Sequence, residues 1–475
     1  LSEDFNVEVI ADYFRADDAW GVVHQLGGGR PDIVTLAETL GSIPSNLRNV
    51  VSGIDSNRFV RVWGLQSTAS WDMTEDWTLR SITAYRETRY TSRDELVGNP
   101  SQAELTQLEQ QHQFSEELQV MASGSNWDFI LGGYYFTEEV EGFVHIPLFF
   151  APGGDFDQSG VGDTKAYAAF AHGSIEIVDK LSLVLGARYS HEKRASTGAF
   201  DVVFHVTPTG GEKSFNSFTP KATLQFEPNE NMMVYAGVSK GSKSGGFTIG
   251  VPGPGVEPET LWSYEVGLKA EFFDRRLTTN LSAFYYDYKD LVVTRVVGAQ
   301  TLNENAAAAT IKGIEAEIVV RPIDNLRIDV TLGLLDPKYD SYNTPDPVRP
   351  ELGILDLSGN RLAGTSNYTA RIGIQYDVPL DNGAMITLDG DVFFSGDMYF
   401  SPYQQKNAYQ AAYETYNASL TYQSDSFWSV TAWGRNLSNA IIISNQFVSS
   451  DFWGFPKFTY LRNPRTYGVN LQVNF

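Results

Sequence analysis

The sequence predicts an all-β fold, a transmembrane antiparallel β-barrel with about 18 strands visible. Three observations predict it. Apolar residues recur at every second position from one end of the chain to the other. The segments that carry this pattern are joined alternately by short and long connections. Aromatic residues are abundant, with 9 Trp, 24 Tyr and 29 Phe, as two interfacial belts require.

The period of two is clearest in SYEVGLKAEFF (263–273), where Tyr264, Val266, Leu268, Ala270 and Phe272 share one face and Ser263, Glu265, Gly267, Lys269 and Glu271 the other. LRIDVTLGLL (326–335) repeats it with Leu326, Ile328, Val330, Leu332 and Leu334 against Arg327, Asp329 and Thr331. KGIEAEIVV (312–320) sets Ile314, Ala316, Ile318 and Val320 opposite Glu315 and Glu317. The chain stops on a further such segment, RTYGVNLQVNF (465–475). The strands begin near residues 4, 57, 77, 109, 127, 163, 181, 215, 231, 261, 277, 310, 326, 367, 384, 413, 428 and 465. One short helical candidate falls at 33–40.

Short turns fall near 71–76, 123–126, 178–180, 227–231, 273–276, 321–325, 379–383 and 423–427, several with turn residues such as EPNEN and PLDNG. Long segments fall near 16–56, 92–108, 140–162, 193–214, 241–260, 297–309, 340–366, 395–412 and 438–464. Tight turns at one end and long loops at the other are the layout of an outer-membrane barrel. A sandwich or propeller has no reason to sort its loops this way. In a barrel the apolar faces look at lipid, and the faces with Glu265, Lys269, Glu315, Glu317, Arg327 and Asp329 line a wet interior. Closure removes the two costly edges of an open sheet, and an even strand number places both chain ends on the periplasmic side.

The remaining composition narrows the function. Lys plus Arg number 35 against 58 Asp plus Glu, a net charge of −23, so the chain is a poor nucleic-acid binder. The absence of cysteine excludes thiol catalysis, disulfides and Cys-ligated metals. No run approaches the roughly 18 apolar residues of a membrane helix. The first residue is Leu and no leader is visible, as in a mature or partial product.

Several segments resemble one family, the TonB-dependent outer-membrane receptors. They are MVYAGVSKGSKSGGF (233–247), VEPETLWSYEVGLKAEFFDRRLTTNLSAFYYDYKDL (256–291), GIEAEIVVRPIDNLRIDVTLGLLDPKY (313–339), WGRNLSN (433–439) and the terminal NPRTYGVNLQVNF (463–475). The likeness runs over most of the chain and is densest after residue 160. It implies a 22-stranded barrel, of which residues 1–475 form the barrel domain with the plug domain and the first strands missing. It also implies an active importer of a scarce nutrient (a ferric siderophore, cobalamin or an oligosaccharide) in the outer membrane of a Gram-negative bacterium. The energy would come from the TonB complex through the missing N-terminal region. Outer-membrane lipid and lipopolysaccharide would surround the barrel, and an external lipoprotein is a further candidate partner. No cofactor or catalysis is implied.

Individual motifs add little chemistry. GSKSGG (241–246) lacks the spacing of a phosphate loop and reads as a glycine-rich exit from a strand; GGGRP (27–31) is a loop element. No histidine has the i, i+4 partner of a helical zinc site, though His24 and His145 lie in or beside loops where they could touch a metal complex. No Ser-His-Asp arrangement is legible. The aromatic loops are more informative. Residues 399–410 carry Tyr403, Lys406 and Tyr409, and residues 450–462 carry Trp453, Phe455, Lys457 and Arg462. Rings beside cations suit flat, anionic or sugar-like ligands, and Lys243 lies at the exit of its strand; a girdle at the outer leaflet is the alternative. These eight residues are the candidate ligand site, with no metal ligand among them. Two rival readings are a passive 18-stranded porin and a soluble all-β adhesin or lectin.

Overall fold

A computed structural model of the chain describes residues 4–19, 24–28, 46–49, 54–95, 104–147, 154–297, 300–448 and 456–474. The helical candidate at 33–40 lies outside them. Among the described residues, eighteen strands form one antiparallel meander. The first six are β1 (Phe5–Ala19), β2 (Asn57–Thr74), β3 (Trp77–Glu95), β4 (Glu104–Ser123), β5 (Trp127–Pro147) and β6 (Asp155–Val178). The next six are β7 (Leu181–Val202), β8 (His205–Asn229), β9 (Met232–Lys243), β10 (Glu259–Phe272), β11 (Leu277–Val297) and β12 (Gln300–Ile323). The last six are β13 (Leu326–Pro345), β14 (Tyr368–Pro379), β15 (Met385–Ser395), β16 (Tyr413–Gln423), β17 (Trp428–Arg435) and β18 (Thr466–Val473). Each strand pairs with the next, as the alternating pattern predicts.

Register fixes the two faces. One row across the ladder runs Val234, Leu268, Leu281, Ala316, Leu332 and Ala370. The adjacent row runs Met233, Lys269, Asn280, Glu317, Thr331 and Arg371. Because side chains alternate along each strand, Glu265, Glu315, Arg327 and Asp329 join the second row's face. The polar face is cross-linked: Arg371 Nη2 donates to Asp391 Oδ1 at 3.0 Å and Asn417 Nδ2 to Asp391 Oδ2 at 2.9 Å, and Arg188 lies over the Tyr134 ring at 5.2 Å. Among the described residues no element covers the apolar face. Val266 (51%), Ile314 (50%) and Leu131 (54%) stay exposed. In a soluble sandwich such residues would be the core; here they form the band that meets lipid.

The sheet curls so that its two ends meet at the long-loop side. Residues His24–Gly28, which follow β1, pair with Pro456–Leu461, which precede β18. Arg48 Nη2 donates to the carbonyls of Asn439 and Ala440. Among the described residues β1 ladders only with β2, and β18 only with β17. Their side chains are accordingly exposed, Tyr13 at 66% and Tyr467 at 81%.

Several segments expected as long loops are strand. The stretch 193–214 is the continuation of β7 and β8, closed by the two-residue turn Val203–Phe204 with positive φ at both positions. Likewise 140–162 and 297–309 are mostly strand, and β3 and β4 extend into 92–108. The apolar–polar alternation weakens once a strand leaves the membrane, because neither face then meets lipid, whereas the ladder itself continues. The short turns fall where expected, all at the opposite end.

Candidate functional site: the loop end of the barrel

The segment 244–258 leaves β9 and turns back over the inner wall. Gly246 and Val256 bond reciprocally, N–H to carbonyl, at 2.9 and 2.7 Å, which closes a compact loop. Gly246 has φ +155°, a conformation that a side chain would strain. The wall beneath is paved with glycine. A Cβ on Gly160 or on Gly162 would stand 3.0 Å from the Ile249 side chain, and one on Gly211 3.0 Å from the Phe247 ring. Glycine in a strand interior often marks such a close approach.

Polar contacts fix the loop on two sides. Gln158 Nε2 on β6 donates to the Ile249 carbonyl at 2.7 Å. Asn303 Nδ2 on β12 donates to Thr248 Oγ1 at 3.0 Å. Asn305 accepts from the Glu257 amide at 2.7 Å and donates to the Glu257 and Asp290 carbonyls. The loop therefore forms a strap between strands six apart in the meander. The hydroxyls of Ser196, Thr209 and Ser244 are buried with no hydrogen-bond partner among the described residues. Ser196 lies opposite Gly211 in the ladder and Thr209 opposite Gly198, so they are spare polar groups beside the strap.

A second structure covers the loop ends of the wall beside the strap. Ala307, Tyr339, Tyr342 and Leu357 form a buried cluster with Leu291, Val293, Leu355, Leu362 and Tyr403 against it. Asp346, whose side chain is fully buried, accepts from the Val348 amide, Arg349 Nε and Gln405 Nε2. Arg295 and Glu304 pair through two bonds of 2.7 and 2.8 Å. The connections 346–367 and 396–412 are thus one rigid cap on the ends of β11 to β13.

The eight predicted site residues scatter over these parts. Tyr403 is an anchor of the cap: its Oη donates to the Pro345 carbonyl at 2.8 Å, and burial pushes its hydroxyl up to about 12. Tyr409 pairs with Tyr399, ring centroids 5.0 Å apart, in a short hairpin of the same connection. Lys406 is exposed beside them. Lys457 lies in the three-stranded loop sheet formed by 24–28, 443–448 and 456–461. Burial alone lowers its ammonium below the usual lysine range, and among the described residues no carboxylate pairs with it. Arg462 is exposed just beyond that sheet. Lys243 ends β9 at 3.8 Å from Glu259. Trp453 and Phe455 lie outside the described residues. No described contact joins Lys243 to the other residues. The strap was not among the predicted residues; its sequence signals were the glycine-rich exit at 241–246 and the glycines Gly160, Gly162 and Gly211 on the wall beneath.

The TonB dependent receptor-like β-barrel family model matches residues 2–437. The ferric-pyoverdine M114 receptor PbuA of Pseudomonas sp. (strain M114) is 25% identical over 322 residues, 66% of this chain and 36% of that protein. The ferric-pyoverdine BN7/BN8 receptor of Pseudomonas putida is 24% identical over 163 residues, 33% of this chain and 19% of that protein. The chain therefore matches about a third or less of these curated relatives' length. Among solved structures, the ferric yersiniabactin uptake receptor FyuA from Yersinia pestis superposes with a TM-score of 0.81 at 18% identity, covering 99% of this chain and 68% of that one. The siderophore receptor PiuA from Acinetobacter baumannii gives 0.77 at 14%, covering 99% and 72%.

Proposed function

Because the chain belongs to the TonB-dependent receptor β-barrel family, we propose that it is the barrel of an outer-membrane receptor that binds a ferric siderophore at the cell surface and imports it with TonB-relayed energy. The observation that carries this reading is the family match across residues 2–437, joined to curated relatives that are ferric-pyoverdine receptors. The loop end suits such a ligand. Lys457 is a half-buried cation without a described counter-ion, Lys406 and Arg462 are exposed, and the Tyr399 and Tyr409 rings pair in the same connection as Lys406. An anionic, ring-bearing chelate would satisfy both features.

In this reading the long-loop end faces the outside and both chain ends face the periplasm. Selectivity lies in the strap, the cap and the loop sheet, while the strands are scaffold, and no covalent step takes place. The test is uptake of 55Fe-labelled siderophores by iron-starved cells with and without the gene. The expected result is uptake of one siderophore class that requires both this receptor and TonB. Uptake that persists without TonB, together with steady conductance of the purified full-length protein in planar bilayers, would replace this reading by the passive channel.

A further inference from the structure

We infer that the outer-surface ends of β5, β6 and β7 form a binding site for a free divalent transition-metal cation, with His145, Asp155 and Asp157 as ligands. Single ligand atoms of these three side chains all lie within 4.8 Å of one another. His145 Nδ1 and Asp157 Oδ1 are 2.7 Å apart. The residues are twelve positions apart in the chain but directly opposite in the β5–β6 ladder.

A hydrogen-bonded imidazole–carboxylate pair is the simpler account of that one distance, but it leaves the rest of the charge unexplained. Asp157 also stands directly opposite Asp201 in the β6–β7 ladder, an arrangement of like charges that destabilises a sheet. One Asp201 carboxylate oxygen is buried and has no hydrogen-bond partner among the described residues. Among the described residues no lysine or arginine pairs with Asp155, Asp157 or Asp201. Two carboxylates thus meet one imidazole, and a third stands across the next ladder from Asp157. A divalent cation would offset this negative charge, and the imidazole selects a transition metal over calcium or magnesium.

The ligands are also held rigidly, as a metal site requires. Ile146, Phe156 and Phe200 are buried on the opposite face of the same strands, with the Phe156 and Phe200 rings edge to face at 5.1 Å. The Phe143 ring stacks along His145 at 6.2 Å. The Asp155 carbonyl accepts from the Val203 amide at the β7–β8 turn. The His145 and Asp157 side chains remain 33% and 36% exposed, so an ion can reach them from solvent.

The test is titration of the chelator-stripped, detergent-solubilised full-length protein with ZnCl2, followed calorimetrically, and with CoCl2, followed by visible absorption. The expected result is a saturable zinc site that weakens at least tenfold in His145→Ala and in Asp157→Asn, and a cobalt spectrum that His145→Ala abolishes. Asp155→Asn provides an independent variant should either of those fail to fold. Zinc affinity and cobalt spectrum unchanged in all folded variants would overturn the proposal. So would a site that takes calcium in place of zinc and ignores His145→Ala.

Discussion

Gln158 and Asn303 stand on strands six apart in the meander, yet they hold adjacent residues of one loop, Ile249 and Thr248. The strap is therefore a chord between two parts of the wall. Replacing both side chains by Leu removes two hydrogen bonds of about 1 kcal/mol each, which shifts the loop toward an open state by a factor of roughly 5–30. The chain has no cysteine, so a thiol placed at the buried Val251 reports opening through its labelling rate. Equal rates with and without the two substitutions would show that these anchors do not hold the strap.

The two faces of β10 differ in what they tolerate. Leu268 sits in the apolar row between Val234 and Leu281, and Lys269 in the polar row between Met233 and Asn280. Leu268→Arg is expected to cost about 2–4 kcal/mol if it lies near the bilayer midplane, and Lys269→Leu much less. Urea titration of refolded barrels in lipid vesicles measures both, and equal costs would undo the assignment of faces.

Tyr403 separates architecture from ligand contact. Tyr403→Phe leaves the Pro345 carbonyl without its partner and should cost about 1 kcal/mol in local stability of the cap, read by amide exchange around Leu357. Ligand affinity should change little. A large loss of affinity with unchanged exchange would return Tyr403 to the role the sequence suggested.

Lys457 gives a pH dependence. Burial lowers its ammonium in the folded loop sheet, so between the folded and the unfolded values the unfolded chain binds more protons and stability rises with pH. The folded sheet thus bears a cost at neutral pH that disappears as pH climbs into the ordinary lysine range. Amide exchange at Thr459, corrected for its intrinsic rate, should slow across that window, and Lys457→Gln should remove the effect. A bound anion should mimic high pH.

The strands were legible because lipid and water impose a strict alternation on each of them. The segment 263–273 announces its two faces residue by residue, and the described residues form 18 barrel strands where the period of two places them. The loop end was less legible, since no periodicity governs it. Tyr403 and Tyr409 read alike as ring-bearing loop residues, but one anchors the cap and the other pairs with Tyr399. His145 stood out only as a solitary histidine, because its partner Asp157 comes from the far arm of a hairpin. The strap's position was carried by absent side chains, a signal that sequence alone does not tie to Phe247 and Ile249.

That glycine paving makes the seat of the loop on the wall adjustable in methyl-sized steps. A Cβ at Gly162 would press on the flexible end of Ile249 at 3.0 Å, so the loop could ride outward a little and stay closed. A Cβ at Gly160 would meet the Thr197 carbonyl at 2.5 Å, and the wall itself would have to yield. Two neighbouring positions on one strand thus differ in kind: a side chain at one would change how deeply the loop seats, and at the other how closely two strands of the wall approach.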